Sequence, residues 1–315
     1  MNAPGSRCEP QAAAAILMVA PAAFGFNAEA AASNVFAAPP GDDDVAAAAR
    51  REWEGAVRAL EEAGAAVHVL EDSAEPAKPD AIFPNNWLTT HADGTIVTYP
   101  MAHESRRAER RPEAVRAMLR SAGFAIARHV DLAAHEARGD YLEGTGSLVL
   151  DRARRRAFAA LGPRTHEAPL ADFAARLGYE VHSFRAVDPG GRPVYHTNVA
   201  VSLGRRFALA CLDCVAEAER DALAGALEAG GRELIRIGWG QLARFAGNVI
   251  ELENRRGETF VALSASAQDA LRPEQRAALR RLSGPLVAAP LPVVERVAGG
   301  SMRCMIAEIF LPRAR

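Results

Sequence analysis

Three residues that could together form a cysteine hydrolase site are separated by 53 and 108 residues, close to one and two steps of a single period. Glu143, His196 and Cys304 each belong to a short polar turn between strand-like runs. A nucleophilic cysteine needs a proton shuttle and a group that orients that shuttle, and Cys, His and Glu can supply these functions. Each residue alone is typical of an ordinary core or loop position. The prediction therefore depends on their equivalent places in the chain.

The polar turns recur with a near-constant period. They lie at 85–86, 143, 196–198, 247–248 and 303–304, in steps of 52 to 58 residues. Segments rich in Ala, Leu, Glu and Arg at helical spacing separate them, together with short strand-like runs. One polar turn in each repeated unit predicts a ring of five α/β units whose turns meet at a common centre. We predict helices at 42–64, 104–122, 168–178, 216–230 and 272–283, with Pro112 as an alternative start of the second.

Composition and charge exclude several classes of protein. The chain has 315 residues, 49% of them hydrophobic and 24% charged, and a net charge of −2. No basic stripe with interleaved aromatic residues indicates a nucleic-acid partner, and the arginine runs at 106–111 and 152–156 are typical of solvated faces. No apolar run is long enough to span a membrane. We therefore expect a cytoplasmic protein with a flexible tail at 1–11 and a single catalytic domain at 12–315.

Two other cysteines form a CxxC pair. Cys211 and Cys214 lie at the end of an apolar run that is typical of a buried strand. A structural zinc site would need a second pair nearby, and the sequence has none. We therefore interpret both cysteines as core residues and predict no metal site.

Four stretches of the sequence resemble the guanidino-group-modifying enzymes of the pentein superfamily. Together they span nearly the whole chain, and within the superfamily they look most like the bacterial citrulline-utilization hydrolases. The resemblance implies a five-bladed α/β propeller of ββαβ repeats around a central active site, and a reaction without a metal or organic cofactor. The stretches are PDAIFPNNW at 79–87, LEGTG at 142–146, YHTN at 195–198 and GGSMRCM at 299–305.

The resemblance also implies a role for each residue of the constellation. Cys304 would attack the electrophilic carbon of the substrate. His196 would protonate the leaving amine and then deprotonate a water molecule. Glu143 would hold the imidazole and favour its charged form.

Two asparagines favour a neutral substrate. Where the similar arginine deiminases hold a guanidinium with aspartates, this sequence has Asn86 and Asn198. A carboxamide both donates and accepts hydrogen bonds and carries no charge, so it suits a ureido group better than a cation. The sequence therefore predicts hydrolysis of L-citrulline to ornithine, ammonia and carbon dioxide.

Other substrate contacts leave alternatives open. Asn85 is a further candidate, and Asp80 either reaches the substrate or caps the turn that follows it. Arg164 suits the substrate carboxylate because a guanidinium binds a carboxylate in a bidentate fork; Arg138 and Arg303 are alternatives. The competing functions are an arginine or methylarginine hydrolase, an amidinotransferase and a non-catalytic pentein binding protein. The expected partner is a small amino acid, and the sequence leaves a homodimer open.

Overall fold

Five three-stranded sheets form the framework of the protein. The computed structural model describes residues 9–41 and 44–314. The sheets have the strand orders β15-β1-β2, β3-β4-β5, β6-β7-β8, β9-β10-β11 and β12-β13-β14. The strands are β1 (Ala15–Ala20), β2 (Ala66–Glu71), β3 (Leu88–Thr90), β4 (Thr95–Thr98), β5 (Arg128–Asp131), β6 (Val149–Asp151), β7 (Arg156–Leu161), β8 (Glu180–Arg185), β9 (Val201–Leu203), β10 (Phe207–Ala210), β11 (Glu233–Arg236), β12 (Ile250–Glu253), β13 (Thr259–Ser264), β14 (Leu286–Ala289) and β15 (Ala307–Ile309).

Every sheet has the same internal pattern. Its first strand pairs antiparallel with the middle strand, and the middle strand pairs parallel with the third. A parallel pair requires a long crossover connection, which explains the helical segment in each unit. The first sheet is completed from the other end of the chain, where β15 pairs with β1 and Leu17 lies opposite Ala307. Five sheets of one pattern match the five predicted units.

The predicted crossover helices are present, with one interruption. The second segment is divided into a short helix and a longer one that begins at Pro112, because proline suits the first helical turn and not the interior. Among the described residues, no helix is long and apolar enough to cross a membrane. The helices are α1 (Ala28–Ala31), α2 (Val45–Glu62), α3 (Glu104–Arg107), α4 (Pro112–Ser121), α5 (Gly144–Ser147), α6 (Glu167–Leu177), α7 (Glu217–Glu228), α8 (Trp239–Leu242), α9 (Ala265–Ala270), α10 (Pro273–Leu282) and α11 (Pro292–Ala298).

The burial of individual side chains contradicts two of the predictions made from sequence and agrees with a third. Glu9 and Arg152 are both only 2% exposed and their side chains are 3.1 Å apart, so residues 9–11 are not a loose tail and Arg152 is not on a solvated face. The rest of the predicted tail, residues 1–8, lies outside the described part of the chain. Cys211 and Cys214 are buried in the core, as their apolar surroundings predicted.

Candidate active site

The polar turns of the repeat lie next to one another in the structure. Each directly precedes the first strand of a sheet, so the repeated topology brings them to equivalent places. The turn of the second unit is α5, and the fourth is the irregular turn at 247–248. The other three are short 3₁₀ turns at Pro84–Asn86, Thr197–Val199 and Met302–Met305. Turns from different units contact each other, which gathers side chains that are far apart in sequence.

The three predicted catalytic side chains are buried together. His196 Nε2 lies 2.8 Å from Glu143 Oε2, as expected for an imidazole that a carboxylate orients. Cys304 and His196 both line one cavity, and they are 3% and 2% exposed. The polar groups of the cavity wall are Asn27, Asn34, Asp80, Asn86, Arg106, Arg164, Tyr195, His196 and Cys304.

Glu143 is the electrostatic centre of the site. Its Oε2 atom lies 3.5 Å from Arg164 Nη1 and 3.6 Å from Arg106 Nη1, and Oε1 accepts a hydrogen bond from the Ala102 amide at 3.0 Å. Burial alone would raise the pKa of this carboxyl, but Arg164, His196 and Arg106 together hold the pKa well below its usual range. Glu143 is therefore ionised at neutral pH.

Burial favours the neutral forms of both His196 and Cys304. Burial lowers the pKa of His196 to about 4 against the pull of Glu143, because Arg164 and Arg106 also oppose a charged ring. Glu143 raises the pKa of His196 and so favours the charged imidazole, as expected, but burial has the larger effect in the opposite direction. Burial likewise raises the pKa of the Cys304 thiol above its ordinary value. Moving the thiol proton to His196 would create the nucleophile and the general acid in one step.

Arg106 is a site residue that the sequence analysis missed. It was assigned to a solvated face, yet it is 2% exposed and lines the cavity. It makes a bidentate pair with Glu109 at 2.8 and 2.9 Å, donates to Asn86 Oδ1 at 2.9 Å and lies 3.6 Å from Asp80. The i, i+3 spacing of Arg106 and Glu109 was a local signal for the pair. No local sequence pattern indicated which side of α3 faces the cavity.

The first connection of the chain covers the cavity. Residues 27–37, which follow β1, contribute five positions to the cavity wall, and the sequence analysis singled out none of them. Arg164 is held against this segment: its Nε donates to Ser33 Oγ at 2.9 Å and its Nη2 donates to the Ala30 carbonyl at 2.5 Å. Asn34 Nδ2 fastens the segment to the Gly299 carbonyl at 3.3 Å. Arg164 thus lines the cavity with a partner for each of its guanidinium nitrogens, since its Nη1 also lies 3.5 Å from Glu143 Oε2.

The other two candidate arginines lie elsewhere. The side chain of Arg138 is 61% exposed and pairs with Asp140 on the surface. Arg303 is buried away from the cavity wall, where its Nη1 donates to the Val201 carbonyl at 3.1 Å. Of the three arginines considered from sequence, Arg164 alone lines the cavity.

The candidate asparagines are separated by the fold. Asn86 lines the cavity, while Asn85 and Asn198, both completely buried, are not part of its wall. Asn198 Nδ2 lies 3.7 Å from Cys304 Sγ and so contacts the thiol rather than the open space. Within the described chain, neither amide atom of Asn85 has a hydrogen-bond partner. Asp80 does line the cavity, and its Oδ2 accepts from Asn27 Nδ2 at 2.9 Å.

Gly146 provides a first test of this geometry. A Cβ atom there would lie 2.5 Å from Asn86 Nδ2 and 2.7 Å from His196 Nδ1, closer than any real contact. We expect Gly146→Ala to displace the imidazole and to lower kcat/KM about a hundredfold, as a displacement of about 1 Å can do. Gly225→Ala on the exposed side of α7 is the matched control, since no atom lies within 4 Å of its Cβ. We expect it to retain activity and to gain about 0.5–1 kcal/mol in unfolding free energy. Equal activity of the two variants would contradict the placement of His196.

Comparisons with known proteins agree with this arrangement. The family model described as "N,N dimethylarginine dimethylhydrolase, eukaryotic" matches residues 20–311. Comparison with curated proteins gives no match.

Solved structures share the fold at low sequence identity. The arginine dihydrolase ArgZ from the ornithine–ammonia cycle in Cyanobacteria has a TM-score of 0.74 and 18% identity over 95% of this chain, which spans 41% of that protein. Its N-terminal domain bound to substrate has a TM-score of 0.72 at 18% identity, covering 94% of this chain and 99% of the domain. A dimethylarginine dimethylaminohydrolase in an adduct with S-methyl-L-thiocitrulline has a TM-score of 0.64 at 15% identity, covering 93% and 98%.

The family match extends over nearly the whole described chain and includes all the polar turns. The fold agrees with it, because the structures of the arginine dihydrolase and the dimethylarginine dimethylaminohydrolase align with 95% and 93% of this chain. The chain therefore belongs to the N,N-dimethylarginine dimethylhydrolase family of the pentein superfamily and is a hydrolase that acts on C–N bonds.

Proposed function

We propose that this protein hydrolyses the guanidino group of arginine or of an N-methylated arginine, with Cys304 as nucleophile, His196 as acid/base and Glu143 as the group that orients the imidazole. We also propose that the five sheets form a five-bladed propeller with this site at its centre. This differs from the citrulline reaction that the two asparagines predicted. The family match and the fold neighbours, an arginine dihydrolase and a dimethylarginine dimethylaminohydrolase, favour the guanidino substrate.

The observation that carries the proposal is the carboxylate of Asp80 in the cavity wall. A guanidinium has only hydrogen-bond donors, so a buried one needs an acceptor and a negative charge. Asp80 is 4% exposed and lies in the same cavity as Cys304. Burial raises its pKa and Arg106 opposes that rise, so a bound guanidinium would favour the ionised form further. Of the two asparagines that predicted a neutral substrate, only Asn86 lines the cavity, because Asn198 is outside its wall.

The geometry supports a two-stage displacement at the guanidino carbon. Cys304 gives its proton to His196, and the Sγ–C bond forms. His196 then protonates the departing nitrogen, and the C–N bond breaks to leave an S-alkylthiouronium and ammonia or a methylamine. Water next attacks the same carbon and gives a proton to His196. As the C–S bond breaks, His196 returns a proton to the sulfur and the second proton of the water passes to the released amine, so a ureido product and an ammonium ion leave. The thiocitrulline adduct of the dimethylarginine hydrolase supports a covalent stage of this kind.

A second candidate substrate is the ureido group itself. Asn86 Oδ1 accepts from Arg106, so the orientation of its amide is fixed with Nδ2 as the remaining donor. Across residues 9–41 and 44–314, nothing accepts a hydrogen bond from that buried Nδ2 atom. A guanidinium offers no acceptor, whereas the carbonyl of a ureido group does. Asn86 therefore favours citrulline as a slower substrate or as the intermediate of a second hydrolysis to ornithine.

A substrate panel tests the proposal. Ammonia, methylamines, citrulline and ornithine would be measured with arginine, dimethylarginine, agmatine and citrulline at equal concentration. We expect release from arginine or dimethylarginine without an added amine acceptor, and a large loss with agmatine, which lacks the carboxylate that Arg164 would bind. Activity on citrulline alone would overturn the guanidino proposal. Product formation that requires an added amine would indicate amidino transfer instead.

Asn86→Asp separates the two substrates. Aspartate keeps the acceptor for Arg106 and replaces the free donor by a second carboxylate oxygen. We expect kcat/KM for citrulline to fall roughly tenfold to a hundredfold, as for an unsatisfied polar contact worth about 1–3 kcal/mol, while kcat/KM for arginine is retained or rises. Asn254→Asp, in a loop turn where Asn254 bonds Glu258, is the matched control. An unchanged ratio of the two substrates would contradict the role of Asn86.

A further inference from the structure

The side of Cys304 that faces away from the cavity is contacted by a residue of the fourth polar turn. Asn248 Nδ2 lies 3.3 Å from Cys304 Sγ, and Oδ1 of the same amide lies 3.7 Å from it. Asn248 is completely buried and does not line the cavity, so it has no direct access to a substrate there. The reactive group that Asn248 contacts is therefore the Cys304 thiol.

The orientation of the Asn248 amide is fixed by two other hydrogen bonds. Oδ1 accepts from the Arg303 backbone N–H at 3.1 Å, and Nδ2 donates to the Asn198 carbonyl at 3.1 Å. Exchanging the oxygen and nitrogen would place a donor against the Arg303 N–H and an acceptor against the carbonyl. A carboxamide nitrogen carries two hydrogens. With one directed to Asn198, the second is available for the sulfur.

The backbone around Asn248 leaves little freedom for the amide to move. A Cβ atom on the preceding Gly247 would lie only 2.1 Å from the Val199 carbonyl oxygen, so this turn packs directly on the turn that carries His196. Phe245, three residues before Asn248, has a φ of 59°, and Asn248 N donates to its carbonyl at 2.8 Å. The backbone of the fourth turn is therefore tightly packed and directs the Asn248 amide toward Cys304.

From this geometry we propose that Asn248 is a positioning residue that stabilises the thiolate of Cys304 by donating a hydrogen bond from Nδ2 to Sγ. The proposal rests on the proposed function in that it takes Cys304 as the nucleophile. It gives the fourth polar turn, which supplies none of the three catalytic groups, a part in the reaction. The burial of Cys304 makes such a donor necessary, because a buried thiolate without hydrogen bonds is costly.

The surrounding charged and titratable groups do not supply this donor. His196 and Tyr195 lie on the cavity side, and Arg303 exerts its charge on the thiol while its Nη1 bonds Val201 and Ser202. Asn198 Nδ2, at 3.7 Å, is a longer second contact. Of the two amide nitrogens that contact Sγ, that of Asn248 makes the shorter approach. Burial raises the pKa of Cys304 overall, and the Ser301 backbone, the Asn248 amide, the Arg303 charge and the Asn198 amide oppose that rise, in this order.

The test is the pH at which Cys304 ionises in Asn248→Asp and in wild type. Aspartate has the same shape, still accepts from Arg303 N–H and presents an oxygen where the donor was. We expect the midpoint of thiolate formation to rise by about one to two pH units, a tenfold to hundredfold loss of thiolate below the midpoint. The midpoint would be read as the ultraviolet absorbance of the thiolate, with Cys304→Ala in each background as the blank, and as iodoacetamide labelling of the Cys304 peptide.

Two further variants make the outcome decisive. Asn248→Ala removes the donor without adding a charge, so it carries the test if the aspartate variant does not fold. Asn254→Asp controls for the substitution itself, and we expect no shift from it. A folded Asn248 variant with the wild-type midpoint would overturn the proposal, even if its activity were lower. Since ionisation is measured without substrate, failure of the substrate panel would leave this result unaffected.

Discussion

Cys304→Ser is expected to abolish hydrolysis of arginine-type substrates while leaving the protein folded. The hydroxyl is a far weaker nucleophile than a thiolate, and His196, which is neutral in the resting site, would have to activate it. We expect kcat to fall by a factor on the order of 10⁴ or more, as loss of a nucleophile does in other hydrolases. Ammonia release in a coupled assay would measure the loss.

Binding provides the control for this variant. The serine substitution changes one buried atom, and the cavity groups Asp80 and Arg164 remain in place, so calorimetry should still detect arginine binding. The melting temperature should change little, because sulfur and oxygen differ only modestly in volume. Activity within about tenfold of wild type would remove Cys304 from the mechanism, since loss of a nucleophile costs far more than that. Loss of both binding and folding would require the milder test with Cys304→Ala.

Glu143→Gln is expected to damage both activity and stability. The glutamine keeps a hydrogen-bonding oxygen for His196 but leaves Arg164 and Arg106 without the charge that lies 3.5 and 3.6 Å from them. Breaking a buried ion pair on one side costs about 3–5 kcal/mol, because an uncompensated charge remains buried. We expect a loss of this size in denaturant unfolding, together with a large fall in kcat as the imidazole loses its orientation.

The loss of stability in Glu143→Gln should depend on pH, because it depends on the ionisation of the Glu143 carboxyl. A carboxyl whose pKa is lower in the folded than in the unfolded state adds stability above its unfolded pKa, about 4.3, and loses it as the pH falls toward the folded value. The difference between wild type and Glu143→Gln should therefore be full at neutral pH and narrow below about pH 4. Glu180→Gln is the matched surface control, since Glu180 is 71% exposed and its pair with Arg156 is worth at most about 1 kcal/mol. Equal losses in both variants would contradict the central role of Glu143.

Glu109 adds a further titratable group behind the cavity. Burial raises its pKa to about 7, against the opposing effect of Arg106. Because Arg106 also contacts Asn86 and lies near Asp80, the protonation of Glu109 changes the charge available to the substrate-facing side of the network. Arg106 thus links three acidic groups, Asp80, Glu109 and Glu143, which come from different parts of the chain. A network of buried ion pairs therefore lies beside the cavity.

Local sequence patterns were sufficient to predict the repeated α/β units. Helical periodicity and strand-like runs depend on neighbours a few residues apart, and their order predicted five similar α/β units. The near-constant step between polar turns then placed Glu143, His196 and Cys304 at equivalent positions. In the structure His196 and Cys304 line one cavity, and Glu143 is hydrogen-bonded to His196. The interruption at Pro112 was also visible locally, because proline cannot continue a helix from the preceding turn.

The sequence by itself determined the number of units, the position of each polar turn and the three residue types that meet there. The tertiary structure decided which side chains face the substrate. Arg106, which was predicted to be solvated, is buried and lines the cavity. Asn198, which was predicted to contact the substrate, lies outside the cavity wall and contacts Cys304 Sγ. Residues 27–37 contribute to the cavity wall and are hydrogen-bonded to Arg164 and Gly299, which are distant in sequence. The physical reason is that the repeat fixes where each backbone turn lies, whereas long-range packing and the pairing of buried charges fix the direction of each side chain.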